Sequence, residues 1–429
     1  MTTLVLEGGR VLDPSTGHDG VADVVVEDGR ILRVGPSAAE GVEGDGVRVV
    51  DVTGAWVVPG LVDLHVHLRE PGQEYKEDIA SGLRAAAVGG FTTVCPMANT
   101  QPANDTRAIT EAMRDRAEEV GGPRLLPLAA ITRGLEGRQL TEMADLKEAG
   151  AVGVSDDGRC VMSSGVMRRA LEYARTFDLL VTQHCEDHDL TAGAQMHEGA
   201  VSTRLGLRGW PRVAEDVIVA RDLMLAELTG ARYHVAHVSS AGAVRLLREA
   251  KSRGLRVSAE VTPHHLSLTD EAVIGYRTHC KVNPPLRGDE DRAALREALA
   301  DGTIDCIATD HAPHSPLEKD CDFEEAAVGI NGLETAVPAL LALVREGALT
   351  PMRLVEALST GPIRLLPGVA GGTLREGARA DITVIDPERR WTVSKEALRS
   401  RSHNTPLLGQ EVTGAVRMTV VTGKIVHET

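Results

Sequence analysis

Residues 62–72 read Val62-Asp63-Leu64-His65-Val66-His67-Leu68-Arg69-Glu70-Pro71-Gly72, an apolar run that carries two histidines and ends at a Pro-Gly turn. In an extended strand, residues that are two apart point to the same side of the sheet. His65 and His67 can therefore direct two imidazoles at one point, where the strand ends. Imidazole is a common ligand of zinc and related metals. The stretch predicts a metal-binding strand, although two surface histidines on a strand would give the same short pattern.

From Leu61 onward, short apolar segments alternate with longer segments of helical character. The sequence predicts eight strands, at 61–67, 91–97, 124–130, 151–155, 179–184, 232–237, 256–262 and 304–309. Eight such β/α units over roughly 300 residues are typical of a (β/α)8 TIM-type barrel, an α/β fold. A doubly wound open sheet is the alternative, but no Gly-x-Gly-x-x-Gly motif follows the first predicted strand.

Both ends of the chain differ from this pattern. In residues 4–58, apolar runs of period two alternate with turn signals such as Asp28-Gly29, which predicts an antiparallel meander. Similar runs return near the C-terminus, at 381–386, 416–421 and 423–426. We expect the two ends to form one small composite β domain of residues 1–58 plus 368–429. Residues 59–367 would then form a metal-dependent catalytic barrel.

The composition of the chain excludes several classes of protein. A net charge of −16 and 2% aromatic residues leave neither the basic patches nor the stacking rings of a nucleic-acid binder. No apolar run approaches the ~20 residues that cross a membrane, and the N-terminus does not read as a signal peptide. The six cysteines are scattered, without a Cys-x-x-Cys pair, as in proteins with reduced thiols. We therefore expect a cytoplasmic protein with no nucleic-acid or membrane partner.

Polar side chains follow five of the eight predicted strands. They are His65 and His67 on the first strand, Asp156-Asp157 after the fourth, His184 on the fifth, His237 on the sixth and Asp310 after the eighth. A TIM-type barrel carries its chemistry at the carboxyl ends of its strands. Because all of these residue types are metal ligands and all lie at that end, the sequence predicts a metal centre.

Four histidines and two carboxylates exceed the ligands of one tetrahedral zinc ion, whose catalytic form also keeps one position open. The surplus predicts two metals ~3.5–4 Å apart, bridged by a carboxylate and a hydroxide. Metal binding lowers the pKa of water towards ~7, so the hydroxide is a nucleophile near neutral pH. The pattern indicates hydrolysis of a polarised carbonyl, or the reverse reaction. Spacing alone does not decide whether Asp156 or Asp157 is the bridge.

These residues resemble the amidohydrolase superfamily and, within it, the dihydroorotase family of the type I bacterial class. The strings that are similar to this family lie at 63–72, 99–100, 155–158, 282–287, 308–314, 329–335 and 377–381. The resemblance therefore extends over the whole chain. One departure is Cys95-Pro96-Met97-Ala98 before Asn99, where relatives often have Met-Pro directly.

The resemblance implies two zinc ions per subunit. Their ligands would be His65, His67 and Asp310 for the first ion and His184 and His237 for the second, with Asp157 bridging both. Asp310 would also act as a general base and then as an acid. Many members of the superfamily use a carboxylated lysine on the fourth strand as the bridge. The fourth predicted strand here carries no lysine, which favours the type I class over hydantoinase-type enzymes.

The reaction implied by the resemblance is the reversible cyclisation of N-carbamoyl-L-aspartate to (S)-dihydroorotate and water, in de novo pyrimidine (UMP) biosynthesis. The bridging hydroxide would be the nucleophile in the hydrolytic direction. Arg69 can bind the carboxylate of the substrate through two parallel hydrogen bonds. The other substrate contacts would be His67, Asn99, Asn283, His314, Val328 and Gly329.

Two alternatives stay open at this point. Another cyclic amidase, such as an allantoinase or a dihydropyrimidinase, is disfavoured by the aspartate after the fourth strand and by Arg69. A non-catalytic scaffold for aspartate carbamoyltransferase would have lost metal ligands, and none of the six expected ligands is missing. We expect an active homo-oligomer, with association to that transferase left open. The polar segment 315–327 is predicted to be a mobile flap over the substrate.

Overall fold

The computed structural model describes residues 3–429. Its strands are β1 (Thr3–Asp13), β2 (His18–Glu27), β3 (Arg30–Gly35), β4 (Val47–Asp51), β5 (Trp56–Pro59), β6 (Leu61–Val66), β7 (Phe91–Pro96), β8 (Arg124–Leu125), β9 (Leu128–Ala129), β10 (Gly153–Ser155), β11 (Leu180–Gln183), β12 (Met196–His197), β13 (Gly209–Trp210), β14 (Arg232–Val235), β15 (Val257–Val261), β16 (Cys306–Ile307), β17 (Ile382–Thr392), β18 (Glu411–Val421) and β19 (Lys424–Glu428).

The α-helices are α1 (Ile79–Val88), α2 (Arg107–Val120), α3 (Met143–Glu148), α4 (Ser164–Thr176), α5 (His188–Thr191), α6 (Ala200–Leu205), α7 (Val213–Thr229), α8 (Ala241–Ser252), α9 (Pro263–Ser267), α10 (Asp289–Ala300), α11 (Pro316–Lys319), α12 (Ala336–Arg345), α13 (Pro351–Val355) and α14 (Gly361–Leu365). A π-helical turn at Glu356–Thr360 joins the last two helices. Among residues 3–429, no helix combines the length and the apolar character that crossing a bilayer requires.

The barrel consists of short parallel strands at the eight positions that the sequence predicts. β6, β7 and β8 pair in that order, and β9, β10, β11, β14, β15 and β16 continue the series. The third predicted strand, 124–130, is divided, because β8 pairs with β7 whereas β9 pairs with β10. A parallel bridge between Val66 and His311 joins the first strand to the last segment. The (β/α)8 fold class is confirmed.

The helices around the barrel follow the periodicity of their apolar residues. α4 buries Val166, Met167, Ala170, Leu171 and Ala174, which are three or four residues apart and therefore share one face. The side chain of Ser163 accepts a hydrogen bond from the N–H of Val166 and so caps the start of this helix. The buried face of α4 joins the large apolar cluster that fills the space between strands and helices.

Both ends of the chain form a single sheet, in the order β19-β18-β17-β5-β1-β2-β3, with β4 paired to β1. The two ends meet where β5 and β17 pair antiparallel, with Val57 opposite Val384. Leu6, Val24 and Val420 belong to the apolar cluster on this sheet. The predicted β domain from both termini is confirmed. Its bounds, 1–58 plus 368–429 beside a barrel of 59–367, stay a prediction.

The predicted antiparallel meander of residues 4–58 is correct for β1, β2 and β3 but wrong for β4 and β5. Both of these strands run parallel to β1. An Asp-Gly turn reverses the chain only between adjacent strands. The longer connection after β3, residues 36–46, instead returns the chain to the other edge of β1 in the same direction. The sequence pattern around β4 therefore did not indicate whether this strand pairs parallel or antiparallel.

Candidate active site

A cavity of about 200 Å³ lies at the carboxyl ends of the barrel strands. Its lining contains the predicted residues His67, Arg69, Asn99, Asp157, His184, His237, Asn283, Asp310, His314, Val328 and Gly329. The remaining predicted residue, His65, is fully buried, and its Nε2 lies 3.4 Å from Asp157 Oδ1. The structure thus brings every predicted site residue together.

Asp157 lies among the four histidines. Its Oδ1 is 3.4 Å from Nε2 of His65, 3.4 Å from Nε2 of His237 and 3.8 Å from Nδ1 of His184. Its Oδ2 is 3.5 Å from Nε2 of His67. One carboxylate therefore faces ligand atoms from both predicted metal positions.

Asp310 is on the side of the first predicted metal position. Its Oδ1 lies 3.0 Å from His67 Nε2 and 3.5 Å from His65 Nε2. Burial raises the pKa of Asp310, but the positive charge of His65 outweighs this effect and holds the pKa below its usual value. The carboxylate is therefore ionised at neutral pH.

The residues present fit a divalent metal. His65 Nε2 and Asp157 Oδ1 are buried without a hydrogen-bond partner among residues 3–429. The ligand atoms of His65, His67 and Asp310 all lie within 4.8 Å of one another, and so do those of His65, Asp157 and His237. Imidazole nitrogen and carboxylate oxygen are established zinc donors. A cation among these atoms would satisfy both orphaned groups.

The pKa values of His65 and Asp157 are shifted by the opposite charges of these neighbouring groups. Burial lowers the pKa of His65, but the negative charges of Asp157, Asp310 and Glu260 raise it well above its usual value. Burial raises the pKa of Asp157, but the positive charge of His65 outweighs this effect and lowers the pKa well below its usual range. The carboxylates of this site thus favour positive charge between them.

Two carboxylates that the sequence analysis missed orient the histidines. Glu260 Oε1 lies 2.7 Å from His65 Nδ1, and Glu186 Oε2 lies 2.9 Å from His184 Nε2. An ionised carboxylate only accepts, so Glu260 holds a proton on His65 Nδ1, and Nε2 is the nitrogen that would bind a metal in place of its own proton. A signal was present for Glu260, which is the one charged residue of strand β15. For Glu186, the signal was its position two residues after the predicted ligand His184.

Arg69 supplies a cation to the cavity. Its Nε donates to the carbonyl oxygen of Pro313 at 3.2 Å, and its side chain is buried. No carboxylate oxygen among residues 3–429 lies within 4.0 Å of its guanidinium nitrogens. The neighbouring His314 donates from Nε2 to the carbonyl oxygen of Val328 at 2.9 Å. Burial and the charge of Arg69 lower the pKa of His314 to about 2, so this histidine is neutral.

Asn99 is held against one of the predicted ligands. His67 Nδ1–H donates to Asn99 Oδ1 at 2.8 Å, which leaves His67 Nε2 as the free lone pair. The amide nitrogen of Asn99 remains available as a donor towards the cavity. The departure from the family pattern at 95–98 therefore does not move this side chain away from the site.

The segment 315–327 is fastened to the barrel rather than extended into solvent. Lys319 Nζ donates to the carbonyl oxygens of Thr278, Lys281 and Ala327 at 3.0, 3.1 and 2.6 Å. Lys76 Nζ forms an ion pair with Glu318 at 2.7 Å. The mobility of this segment as a flap stays a prediction.

Comparisons with known proteins are consistent with this geometry. Residues 54–243 match the family model described as dihydro-orotase-like. The chain is 58% identical over 428 residues to the dihydroorotase of Anaeromyxobacter dehalogenans strain 2CP-1, covering 99% of this chain and 98% of that protein. It is 53% identical over 423 residues to the dihydroorotase of Trichlorobacter lovleyi, covering 99% of each.

Among solved structures, the chain is similar to the L-hydantoinase (dihydropyrimidinase) of Arthrobacter aurescens, with a TM-score of 0.88 and 27% identity. The match covers 100% of this chain and 96% of that one. The D-hydantoinase (dihydropyrimidinase) of Thermus sp. gives a TM-score of 0.81 and 26% identity, covering 99% of this chain and 95% of that one.

Proposed function

The chain belongs to the dihydroorotase family, and from this premise we propose that it catalyses the reversible cyclisation of N-carbamoyl-L-aspartate to (S)-dihydroorotate and water. It is a metal-dependent cyclic amide hydrolase that acts on a small-molecule substrate. One observation carries the proposal for the site. The carboxylate of Asp157 lies within 3.8 Å of nitrogens from all four histidines, in a cavity that also contains Arg69.

The metal centre would consist of two zinc ions. We assign His65, His67 and Asp310 to the first ion, His184 and His237 to the second, and Asp157 to both. When bound, zinc polarises a carbonyl and lowers the pKa of water towards ~7. With Asp157 as a ligand of both ions, the site would need no modified lysine.

Asp310 is the proposed proton-transfer group. In the hydrolytic direction a water molecule attacks the ring amide carbonyl, and the bond between that carbon and the ring nitrogen breaks. Asp310 accepts the proton of the water and then donates it to the departing nitrogen. Its pKa is held below its usual value, so the carboxylate is ionised before the reaction begins. In the cyclisation direction Asp310 first accepts a proton from the ureido nitrogen and then returns it to the departing oxygen.

The remaining cavity residues would hold the substrate. Arg69 is a buried guanidinium without a carboxylate partner among residues 3–429, so it can pair with the carboxylate outside the reacting bond. Asn99 donates to the same carboxylate, and His314 lies beside Arg69. Asn283 and the backbone of Val328-Gly329 would contact the ring.

The decisive experiment is an assay of the purified protein with (S)-dihydroorotate and N-carbamoyl-L-aspartate, alongside hydantoin, allantoin and dihydrouracil. We expect turnover in both directions with the first pair and little turnover of the three compounds without a carboxylate. Two zinc equivalents per chain should accompany the activity. Preference for hydantoin or dihydrouracil would overturn the substrate assignment in favour of another cyclic amidase.

The cellular form of the protein is also a proposal. The free cysteines, five of the six buried, support a reducing compartment such as the cytoplasm. Exposed Val213, Val217, Met224 and Leu228 share one face of α7, and a second copy of the chain could cover this apolar strip. A homo-oligomer that Met224→Glu converts to monomer, measured by light scattering, would support this. Association with aspartate carbamoyltransferase stays a prediction.

A further inference from the structure

Glu186 connects two residues that have different proposed tasks. Its Oε2 lies 2.9 Å from His184 Nε2 and 2.9 Å from Asn283 Nδ2. Its other oxygen, Oε1, accepts a hydrogen bond from Thr191 Oγ1 at 2.5 Å. One carboxylate oxygen is thus shared by a proposed metal ligand and a proposed substrate contact, while the second oxygen fixes the carboxylate itself.

For His184, the contact determines which ring nitrogen is free. Ionised Glu186 can only accept, so His184 Nε2 must carry the proton that it donates. The lone pair then resides on Nδ1, which lies 3.8 Å from Asp157 Oδ1 and 2.9 Å from His237 Nε2. The contact therefore presents Nδ1 of His184 as the metal-binding atom.

For Asn283, the same contact determines which way the amide faces. Because the carboxylate oxygen binds the amide nitrogen, Asn283 Oδ1 points away from Glu186. This oxygen is buried and has no hydrogen-bond partner among residues 3–429, and Asn283 lines the cavity. A buried acceptor without a donor is costly unless a ligand supplies one. The N–H groups of the proposed substrate are suitable donors.

We propose that Glu186 is a positioning residue that sets the metal-binding atom of His184 and the substrate-facing oxygen of Asn283 at the same time. This inference rests on the proposed function. Since both residues depend on one oxygen, ordering either of them helps to order the other. Metal and substrate should therefore each increase the affinity for the other, by the same factor.

The first test compares Glu186→Ala and Glu186→Gln with the wild type. The apparent zinc affinity of the metal-free protein, measured by competition with a chromophoric chelator, should fall by about 10–100-fold in Glu186→Ala. The KM for dihydroorotate should rise by about tenfold, as expected for one lost hydrogen bond to a charged group. The KM of Glu186→Gln should be close to that of the wild type, because its amide oxygen can keep the shared position while its nitrogen faces Thr191.

The matched control is Asp187→Asn. The Asp187 side chain caps α5 by accepting from the N–H groups of Asp189 and Leu190, and asparagine caps a helix equally well. Zinc affinity and KM should be unchanged in this variant. A loss in Asp187→Asn as large as that in Glu186→Ala would show a general effect of the segment and would overturn the inference.

The second test separates the two tasks through Asn283→Ala. In that background, Glu186→Ala should leave KM unchanged but should still lower zinc affinity, since only the path through His184 remains. Independent, additive effects on KM would overturn the inference, as would unchanged zinc affinity in folded Glu186→Ala. If Glu186→Ala does not fold, Glu186→Asp takes its place in the cycle, because its carboxylate is one methylene too short for both 2.9 Å contacts. Absence of dihydroorotate turnover by the wild type would contradict the proposed function alone, because the zinc measurement needs no turnover.

Discussion

Thr132 holds the carboxylate of Asp156 through two hydrogen bonds, one from its N–H at 2.9 Å and one from its hydroxyl. Asp156 therefore fastens the loop after β10 to the end of the neighbouring strand. The next residue, Asp157, points into the cavity and lies among the histidines. Two adjacent carboxylates thus serve different purposes, which spacing in the sequence could not separate.

We predict that Asp157→Asn abolishes both activity and stable zinc binding, because each metal position loses a charged ligand at once. Metal content, measured by mass spectrometry after dialysis, should fall from two equivalents towards zero. Asp156→Asn is the matched control and should retain zinc while its folded state is destabilised by about 1–3 kcal/mol. Full zinc occupancy in Asp157→Asn would exclude Asp157 as the bridge.

Arg69→Met should raise the KM for dihydroorotate by about 10–100-fold, equivalent to the loss of about 1.5–3 kcal/mol from a hydrogen bond to a charged group. The inhibition constant of dihydrouracil, which lacks the carboxylate, should change little. Exposed Arg84→Met provides a control for removing a positive charge elsewhere. Equal weakening of both ligands by Arg69→Met would mean that Arg69 maintains the cavity instead of binding the carboxylate.

Asp310→Asn should lower kcat by about 10²–10⁴-fold in both directions, since the amide cannot accept the proton. Calorimetry should still detect binding of dihydroorotate by the variant. Because the variant holds less metal, the number of binding sites is corrected by metal analysis. The decisive quantity is kcat per metal-loaded site. A wild-type kcat in fully metal-loaded Asp310→Asn would contradict a proton-transfer role for Asp310.

His197 should make the protein less stable in acid. Burial and the adjacent Arg287 guanidinium lower the pKa of His197 from 6.5 to about 4. Between these values the unfolded chain binds the proton and the folded protein does not, so stability falls as the pH drops from 6.5 towards 4. From pH 8 to pH 5 this costs about 2 kcal/mol.

The measurement is urea unfolding of wild type and His197→Gln at pH 8 and pH 5. The pH-dependent loss of unfolding free energy should be about 2 kcal/mol smaller in the variant. Exposed His188→Gln is the control and should lose as much stability as the wild type. Because metal loss at low pH affects all three proteins alike, only the difference between them is interpreted. An equal pH dependence in His197→Gln would contradict the assignment.

Lys319→Met should loosen the segment 315–327, because three carbonyl oxygens lose their donor. Cleavage by a glutamate-specific protease at Glu318 or Glu324 should become about tenfold faster, equivalent to roughly 1.4 kcal/mol of local stability. Leu317→Ala, at a side chain that is 89% exposed, should have no effect. Dihydroorotate should slow cleavage of the wild type, and equal cleavage with and without ligand would argue against a flap.

The positions of the barrel strands and the clustering of the proposed metal ligands could be predicted from the sequence because both depend on local patterns. Apolar runs mark the strands, and a histidine or aspartate at the end of each run reaches the same mouth of the barrel. His65, His184 and Asp310 are far apart in sequence, yet they meet for this reason. Residues that recur at strand ends along the sequence are therefore neighbours in the folded barrel.

The features that the sequence did not reveal depend on distant partners. The parallel pairing of β4 with β1 is set by the path of residues 36–46, which no turn motif specifies. Glu260 and Glu186 act through contacts with His65 and His184 that exist only after folding. A carboxylate inside an apolar strand could have been recognised as exceptional, but its partner could not have been named.

The pairing of β5 with β17 has a consequence for how the chain is made. β5 is followed at once by β6, the barrel strand that carries His65, but its partner begins only at Ile382 of the 429-residue chain. During translation, therefore, the edge of β5 stays open until nearly the whole polypeptide has left the ribosome. Such long-range pairing is slow and exposes apolar edges to aggregation. The yield of folded protein should accordingly depend on chaperone capacity. Variants that are truncated at the C-terminus and lack β17 should accumulate as inclusion bodies.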